Sequence, residues 1–317
     1  MSDKKVLQVG ALVIAGAIFL RLTINQWTPA VQAAEQLHLG QVILFLQTGR
    51  VVRPLPPAQS PVVEVEKEPE QPIAKAVFSE SDQALVQLRN TSNQSADISA
   101  ALLDDLHWDL YESQPTVLII HSHGSESYQK TEDYTESTAY RTLNTDYNMI
   151  SIGDLLAQEL ENAGIRVIHD RTMYDVPSYN DAYTQARAGI EAHLAENPSI
   201  CLILDLHRDA ATDANGNQIG YTVSTPEGDA AKLMLVLGTN SDTWQDNLSL
   251  ATKLHVLLEK QVPGICRPIN VRSQRFNQDL CPGAVLVEVG ATGNSRQEAL
   301  LAAKYLAQAI ISLAAGT

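Results

Sequence analysis

The chain has 317 residues, with 22 Lys and Arg against 37 Asp and Glu, so its formal net charge is -15 at pH 7. Because nucleic-acid phosphates are bound by clustered basic side chains, this balance argues against a nucleic-acid partner. The length allows one large domain or two small ones with a sizeable core. Its three cysteines form no disulfide framework, although a Cys266–Cys281 bond is left open for an oxidising compartment.

Residues 1–27 predict a cytoplasmic tip and a transmembrane anchor. Two lysines precede the apolar run Val6–Leu20, which reaches the length of a membrane-spanning helix, about 20 residues, when it is extended through Trp27. The lysines are expected to stay in the cytoplasm, and the rest of the chain is then exported. The interpretation is a single-pass protein of the cell membrane whose main domain lies outside the cytoplasm.

A cleavable signal peptide is the alternative interpretation of the same segment. Cleavage sites would lie near Thr28 or Gln32. Arg21 and Gln26 make a poor cleavage region, so the sequence favours an uncleaved anchor.

Residues 28–114 predict a juxtamembrane segment and linker. Six prolines, interspersed with Glu and Val between Val52 and Ala76, indicate a semi-rigid, extended stretch. Residues 77–114 are weakly patterned and predict one short helix, with Ser99 as its N-cap and Leu110 near its end.

From residue 115 to 317 strands and helices alternate. The predicted strands are Val117–Ile120, Ile165–Ile168, Ile200–Leu206, Ile219–Ser224, Leu233–Leu237 and Val285–Val289. The predicted helices are Asn148–Ala163, Tyr183–Glu196, Trp244–Lys260 and Arg296–Leu313. This order predicts an α/β domain with a mostly parallel central sheet flanked by helices on both faces. The fourth and fifth strands would be antiparallel if they pair as neighbours.

Four side chains stand at or just beyond the ends of these apolar strands. His123 and Glu126 follow the first strand, His207 ends the central strand, and Glu288 is a charge inside Val-Leu-Val-Glu-Val. Ligands gather beyond the carboxyl ends of such strands, so we expect the four to converge. Two imidazoles and a carboxylate are typical ligands of a catalytic zinc, and a further glutamate can move the proton of the attacking water. The pattern predicts a zinc hydrolase.

Each of these residues also has an ordinary structural interpretation. His121 competes with His123 as a ligand; the spacing to Glu126 favours His123 and leaves His121 as a supporting or substrate-side group. Glu288 could form a structural ion pair with Arg208, and His207 could be a satisfied core histidine. The remaining histidines are interpreted as structural or exposed: His38, His107, His169, His193 and His255.

The segment from Arg275 to Leu280 is dense in hydrogen-bonding side chains just before the Glu288 strand. We expect Asn277, Gln278 and Asp279 to contact substrate, with an ordinary solvated loop as the alternative. Ser125 and Ser127 lack the glycine-flanked elbow of a serine nucleophile.

Taken together, these segments resemble the stage II sporulation protein P family of bacterial cell-wall hydrolases. The resemblance covers about the last two-thirds of the chain and rests on four blocks, His121-Ser-His-Gly-Ser-Glu-Ser-Tyr128, Asp205-Leu-His-Arg-Asp209, Asn277-Gln-Asp-Leu280 and Val285-Leu-Val-Glu-Val-Gly290. The anchored N-terminus and Leu46-Gln-Thr-Gly-Arg50 also look like the family. Ser122 and Gly124 depart from the usual His-Thr-His-Thr-Ser-Glu and leave the metal donors intact.

The resemblance implies a zinc-dependent N-acetylmuramoyl-L-alanine amidase with the amidase fold, in some members also a peptidoglycan endopeptidase. Carried onto this chain, it makes His123, Glu126 and His207 the Zn²⁺ ligands and Glu288 the catalytic residue. We expect Arg208 to stabilise the developing oxyanion or to hold a substrate carboxylate.

The resemblance also implies a role in spore engulfment. The implied partners are peptidoglycan as substrate, the lytic transglycosylase stage II sporulation protein D and the membrane protein stage II sporulation protein M. In a spore former the catalytic domain would then lie in the intermembrane space of the forespore. Two alternatives stay open: a zinc carboxypeptidase or endopeptidase on stem peptides, and a non-catalytic wall-binding scaffold.

Overall fold

The structure, a computed structural model, describes residues 76–106, 108–130, 134 and 140–315. The predicted anchor, the proline-rich stretch up to residue 75, His38 and His107 lie outside these residues. Across the described part of the chain, no helix is both long enough and apolar enough to cross a membrane.

The described residues fold around a seven-stranded sheet. The strands in chain order are β1 (Leu88–Asn90), β2 (Val117–Ile120), β3 (Val167–His169), β4 (Leu202–Asp209), β5 (Thr222–Thr225), β6 (Gly228–Ala231), β7 (Leu233–Gly238), β8 (Ile269–Arg272) and β9 (Ala284–Ala291). The order across the sheet is β1-β8-β7-β9-β4-β2-β3, and β5 and β6 form a separate hairpin. Every pair in the large sheet is parallel except β7–β9, which confirms the predicted mostly parallel sheet.

Helices cover the two faces of this sheet unequally. They are α1 (Ile98–Leu103), α2 (Met149–Asn162), α3 (Ala182–Glu196), α4 (Trp244–Gln261) and α5 (Arg296–Ala314). On one face α2, α4 and α5 pack on alternate strand residues, among them Val285, Val287 and Val289. On the other face α3 packs against β2 and β4. Helices on both faces were predicted, and the structure confirms them.

Local sequence signals set the limits of the second helix as expected. The Asn148 side chain accepts a hydrogen bond from the Ile150 N–H and caps the start of α2. Gly164 just beyond its end has a φ of 89°, a left-handed conformation that glycine adopts without a steric penalty.

Several elements differ from the prediction. The short helix α1 is capped by Asp97, whose side chain accepts from the Ala100 N–H, so Ser99 lies inside it and it ends before Leu110. Strand β5 pairs with β6 and not with β7, because a two-residue turn returns the chain directly. The strands β1 and β8 were not predicted, since three or four residues with polar side chains carry little periodic signal.

The edge strand β1 comes from the segment before residue 115, the residue at which the predicted catalytic domain begins. β1 pairs in parallel with β8, and the buried Lys253 ammonium of α4 donates to the carbonyl oxygens of Ala101 and Leu102 at the end of α1. The predicted division of the chain at residues 27 and 114 stays a prediction.

A buried amide fixes the start of β9. The Asn247 side chain donates to the Gln278 carbonyl at 3.0 Å and accepts from the Ala284 N–H at 2.9 Å. It is fully buried on α4 and is the acceptor of the Ala284 N–H, whereas the Gln278 carbonyl also accepts from the Thr243 hydroxyl at 3.0 Å.

Replacing this amide is expected to destabilise the protein. Asn247→Leu leaves the buried Ala284 N–H unpaired and removes one of the two donors to the Gln278 carbonyl, so the free energy of unfolding should fall by about 1–3 kcal/mol in urea denaturation. The exposed Asn162→Ala at the end of α2 is the control and should change it by less than about 0.5 kcal/mol. Equal effects of the two substitutions would contradict the role given to Asn247.

Candidate active site

A cleft of about 430 Å³ opens where β4, β9 and the loop after β2 meet, and His123, Glu126, His207 and Glu288 line it. His207 and Glu288 are register partners on parallel strands. β2 pairs with β4 on the other side, so the loop that follows β2 leaves the sheet at the same edge. The structure thus brings together the four side chains that the sequence selected.

The loop after β2 curls tightly, as the His123–Glu126 spacing requires. The Glu126 N–H donates to the His123 carbonyl, which closes a turn. The Ser125 N–H and hydroxyl both donate to the buried Asp175 carboxylate, which fastens the turn from outside. The curl directs the Glu126 carboxylate toward His207, with Nδ1 of His207 lying 3.6 Å from Glu126 Oε2.

His207 lies between two buried carboxylates. Its Nε2 is 3.0 Å from Asp205 Oδ1, but that nitrogen has no aligned hydrogen-bond partner, so we treat the contact as electrostatic. Asp205 is fixed in turn by the Ser122 N–H and hydroxyl, at 2.8 and 2.6 Å. Burial would lower the pKa of His207, yet the charge of Asp205 and the close contacts with Asp205 and Glu126 raise it well above its usual value. The pocket between the carboxylates therefore favours a positive charge.

Burial opposes the ionisation of Glu126 as well. A hydrogen bond to His207 and the charge of Arg208 outweigh that effect and lower its pKa. An ionised carboxylate beside an imidazole is the pair that a divalent metal uses as ligands.

Two buried polar atoms of the cleft residues have no hydrogen-bond partner, His123 Nδ1 and Glu288 Oε2. Buried polar atoms are rarely left unpaired, and an ion is one physical reason for such an exception. Two ligands on one tetrahedral zinc stand about 3.4 Å apart, close to the 3.6 Å between His207 Nδ1 and Glu126 Oε2. These two residues therefore stand at the spacing of zinc ligands, and His123 offers a third donor of a type that zinc binds.

A second group of metal-capable side chains lies away from the cleft. Among the described residues, His255, Glu259 and Cys266 place one donor atom each within 4.8 Å of one another, whereas the cleft donors are spread more widely. Both Glu259 oxygens already accept N–H groups, from Gly264 and Cys266, so that carboxylate serves the turn before β8.

Glu288 has the environment of a proton carrier. Burial raises its pKa to about 8, and the nearby Glu126 charge adds to this while His207 opposes it. A carboxyl group whose pKa lies near neutrality can both accept and return a proton under ordinary conditions.

Arg208 is held mainly by the protein. Its guanidinium donates to the Ser127 carbonyl at 2.9 Å, to the Tyr140 carbonyl at 2.8 Å and to Glu126 Oε1 at 3.4 Å. The side chain is 5 % exposed. These contacts position Glu126 and the loop around it; Arg208 also lines the cleft, and its role toward an oxyanion or a substrate carboxylate stays a prediction.

His121 was interpreted as a supporting or substrate-side group, and in the structure it has the contacts of a supporting group. The ring is fully buried behind the cleft, with Nδ1 3.3 Å from the Leu206 carbonyl and Nε2 2.8 Å from His169 Nε2. Burial, and then the proximity of His169, lower the pKa of His121 to about 3. The neutral ring serves as packing beneath the loop that carries His123.

The predicted substrate-binding residues of the Arg275–Leu280 segment are also used by the fold. Asn277 donates to the Tyr183 carbonyl, Gln278 bridges Val236 and Gly238 of β7, and Asp279 accepts from Arg187 at 2.9 Å. Hydrogen-bonding capacity in a loop does not tell protein partners from ligands, so substrate contact by these three residues stays a prediction. It is their neighbour Phe276 that lines the cleft.

The aromatic side chains that line the cleft were not predicted from the sequence. The His123 ring lies against Tyr179 with centroids 4.0 Å apart and edge-on to Tyr183 at 5.4 Å. Tyr183 also stacks on the His207 ring at 6.1 Å. The one available signal was a pair of tyrosines four residues apart at the start of a helix. This pair indicates a binding cleft only once the helix is known to lie over the strand ends.

Comparison with solved structures gives low global similarity to three amidases. N-acetylmuramoyl-L-alanine amidase AmiC2 of Nostoc punctiforme has a TM-score of 0.37 and 16% identity, over 64% of this chain and 94% of that one. The amidase from Clostridium difficile 630 gives 0.37 and 20%, over 65% and 95%. Ami1 from Mycobacterium smegmatis gives 0.39 and 14%, over 66% and 100%.

Sequence comparison gives a closer match. The curated relative stage II sporulation protein P of Bacillus subtilis (strain 168) is 29% identical over 206 residues, which cover 60% of this chain and 49% of the relative. The chain thus spans about half the length of this relative. A family model described as stage II sporulation protein P (SpoIIP) matches residues 36–311, most of the sequence. The chain belongs to the stage II sporulation protein P family.

Proposed function

We propose that this protein is a zinc-dependent hydrolase of the cell wall, which cleaves the amide bond between N-acetylmuramic acid and L-alanine in peptidoglycan. The observation that carries the proposal is the convergence of His123, Glu126, His207 and Glu288 in one cleft, where His123 Nδ1 and Glu288 Oε2 are buried without a hydrogen-bond partner. Family membership and the name of the relative support a role in sporulation.

In this proposal His123, Glu126 and His207 would hold the metal. When bound, zinc supplies a Lewis acid for the amide carbonyl and lowers the pKa of water toward about 7. Asp205, anchored by Ser122, keeps the His207 ring in orientation, and Arg208 does the same for the Glu126 carboxylate. These supporting contacts preset the site before any ligand binds.

Glu288 would transfer the proton from the attacking water to the leaving amine. It lies opposite His207 in the β4–β9 register, so its carboxyl group borders the same space as the metal ligands. We assign it the general-base role toward the attacking water and then the general-acid role toward the leaving amine of L-alanine. Tyr179 and Tyr183 wall the site and reduce its contact with bulk water.

We also propose that the protein acts outside the cytoplasm, anchored by residues 1–27, during engulfment of the forespore. Stage II sporulation proteins D and M are the proposed partners. The support for these points is the N-terminal sequence and the family itself.

Product analysis tests the reaction. The full chain, incubated with purified peptidoglycan and zinc, should release stem peptides that begin with L-alanine and leave peptide-free glycan, as identified by mass spectrometry. Shortened or uncrosslinked peptides that remain on muramic acid would instead establish a peptidase at the same site. An absence of products with zinc bound would favour a wall-binding scaffold.

Replacing the proposed base should separate catalysis from metal binding. Glu288→Gln removes proton transfer but no metal ligand, so kcat should fall by at least about 100-fold while the zinc content stays near that of the wild type. Glu161→Gln on the exposed surface of α2 is the matched control and should leave both unchanged. Retention of full activity by Glu288→Gln would remove this residue from the mechanism.

Zinc affinity tests the ligand assignment independently of activity. His207→Ala should weaken zinc binding by more than about 100-fold, because even the loss of an outer contact costs 10- to 100-fold. Asp205→Asn, which alters an outer contact of His207, should weaken zinc binding by about 10- to 100-fold. His193→Gln on α3, which is bonded to Asp170 outside the cleft, serves as the control. Metal analysis that finds normal zinc in His207→Ala would count against the proposed site.

A further inference from the structure

A second cavity, of about 550 Å³, continues the cleft across the sheet. It is lined in part by Arg89, Arg267 and Arg272, and it shares Asn270, Arg272, Met234 and Asp209 with the cleft. The two cavities are therefore one groove, which runs from Glu288 on β9 over β7 and β8 to β1. It follows the sheet face on which α3 packs, beyond the strands that α3 covers.

The strand pattern explains why basic side chains border this groove. In β8 the sequence Ile-Asn-Val-Arg buries Ile269 and Val271 under the helices of the first face, which places Asn270 and Arg272 on the open face. In β1 Leu88 packs on that same core, so Arg89 projects to the groove side beside Asn270.

The groove carries an excess of positive charge in a chain whose net charge is -15. Arg267 is neutralised by Asp209, with Nη1 and Oδ2 2.7 Å apart, and it also stacks over Tyr221. Arg89 and Arg272 are exposed, and neither forms an ion pair with any residue that the structure describes. Two free guanidinium groups at one end of an active-site groove favour a planar anion such as a carboxylate.

Strand spacing gives the reach of this subsite. Neighbouring strands lie about 4.8 Å apart, so β8 is about 10 Å and β1 about 14 Å from the β9 strand that carries Glu288. An extended peptide advances about 3.3–3.6 Å per residue. Carboxylates on the second to fourth residues beyond the cleaved bond would therefore reach Arg272 and Arg89.

We propose that Arg89 and Arg272 form a carboxylate-binding subsite for the peptide arm of the substrate. The inference rests on the proposed function for the identity of that arm, but the subsite itself rests on the groove and its charges. It makes the enzyme prefer stem peptides with free carboxylates over amidated ones, and it places the L-alanine end of the peptide toward Glu288.

Calorimetry on the full chain with zinc tests the subsite without any need for turnover. The probes are the tripeptide L-Ala-γ-D-Glu-L-Lys with free carboxylates and the same tripeptide with both carboxylates amidated. The wild type should bind the acidic form about tenfold more tightly. In the double variant Arg89→Gln, Arg272→Gln, the two forms should bind within about twofold of each other. Arg272→Lys, which keeps the charge, should retain part of the preference.

The exposed Arg166→Gln at the far edge of the sheet is the matched control and should keep the full tenfold preference. Both arginines of the subsite are exposed, so the variants should fold, and circular dichroism checks this. An unchanged preference in the double variant would overturn the proposal. The proposal would also be overturned if inorganic phosphate bound through the same arginines more tightly than the acidic tripeptide, because the site would then be a phosphate site.

The kinetics on soluble muropeptides separate this inference from the proposed function. The double variant should raise KM for acidic substrates about tenfold and leave kcat unchanged, as expected for a group that binds ground and transition state alike. If the wild type cleaves no muramyl amide but the calorimetric preference still depends on the arginines, the reaction assignment fails and the subsite stands. If the wild type cleaves the muramyl amide but the calorimetric preference does not depend on the arginines, the subsite fails and the reaction assignment stands.

Discussion

The parallel pairing of β4 with β9 is the constraint on which the site depends. It sets His207 opposite Glu288, and because alternate strand residues point to opposite faces, a shift of one residue would turn one of the two side chains into the apolar core. The register is held by apolar side chains packed on both faces and by the Asn247 amide, which binds the first residue of β9. The geometry of the cleft is therefore a consequence of core packing, and the loop after β2 only has to place His123 and Glu126 at a position already defined.

Burial makes this arrangement costly for the fold. Glu126, Asp205, His207 and Arg208 are each no more than 5 % exposed, and buried charges are tolerated when they are paired and hydrogen-bonded. Most of the polar atoms are satisfied within the protein, through Ser122, Ser127 and Tyr140. Two exceptions, His123 Nδ1 and Glu288 Oε2, belong to residues that line the cleft. A site that satisfies its outer contacts and leaves its inner ones open is arranged for a ligand and not for stability.

The sequence predicted the parts of the molecule that depend on local pattern. Long β-branched runs gave β2, β4 and β9, and charges at their ends gave the four cleft residues, because burying such groups without a role is unfavourable. The sequence was least informative where tertiary context decides. Arg208, His121 and Gln278 carry the same polar atoms whether they meet substrate or backbone, and the structure shows that they meet backbone or another side chain. The strands β1 and β8 were not predicted because their pairing partners are distant in sequence and their own patterns are short.

The reversed direction of β7 relative to β9 accounts for the open groove. Connections between parallel strands are right-handed, so the direction of travel along the sheet decides which face receives the crossover helix. From β3 to β4 the chain moves back over β2 and places α3 on one face. From β7 to β8 it continues in that same direction, but the strands now run the opposite way, so α4 falls on the other face beside α2 and α5. No helix that the structure describes packs over β8 and β1 on the α3 side, and the polar alternation of β8 is suited to an exposed surface there. A single antiparallel junction thus creates, next to the cleft, a strip of sheet that is long enough for an extended peptide and is bordered by arginines without an ion pair among the described residues.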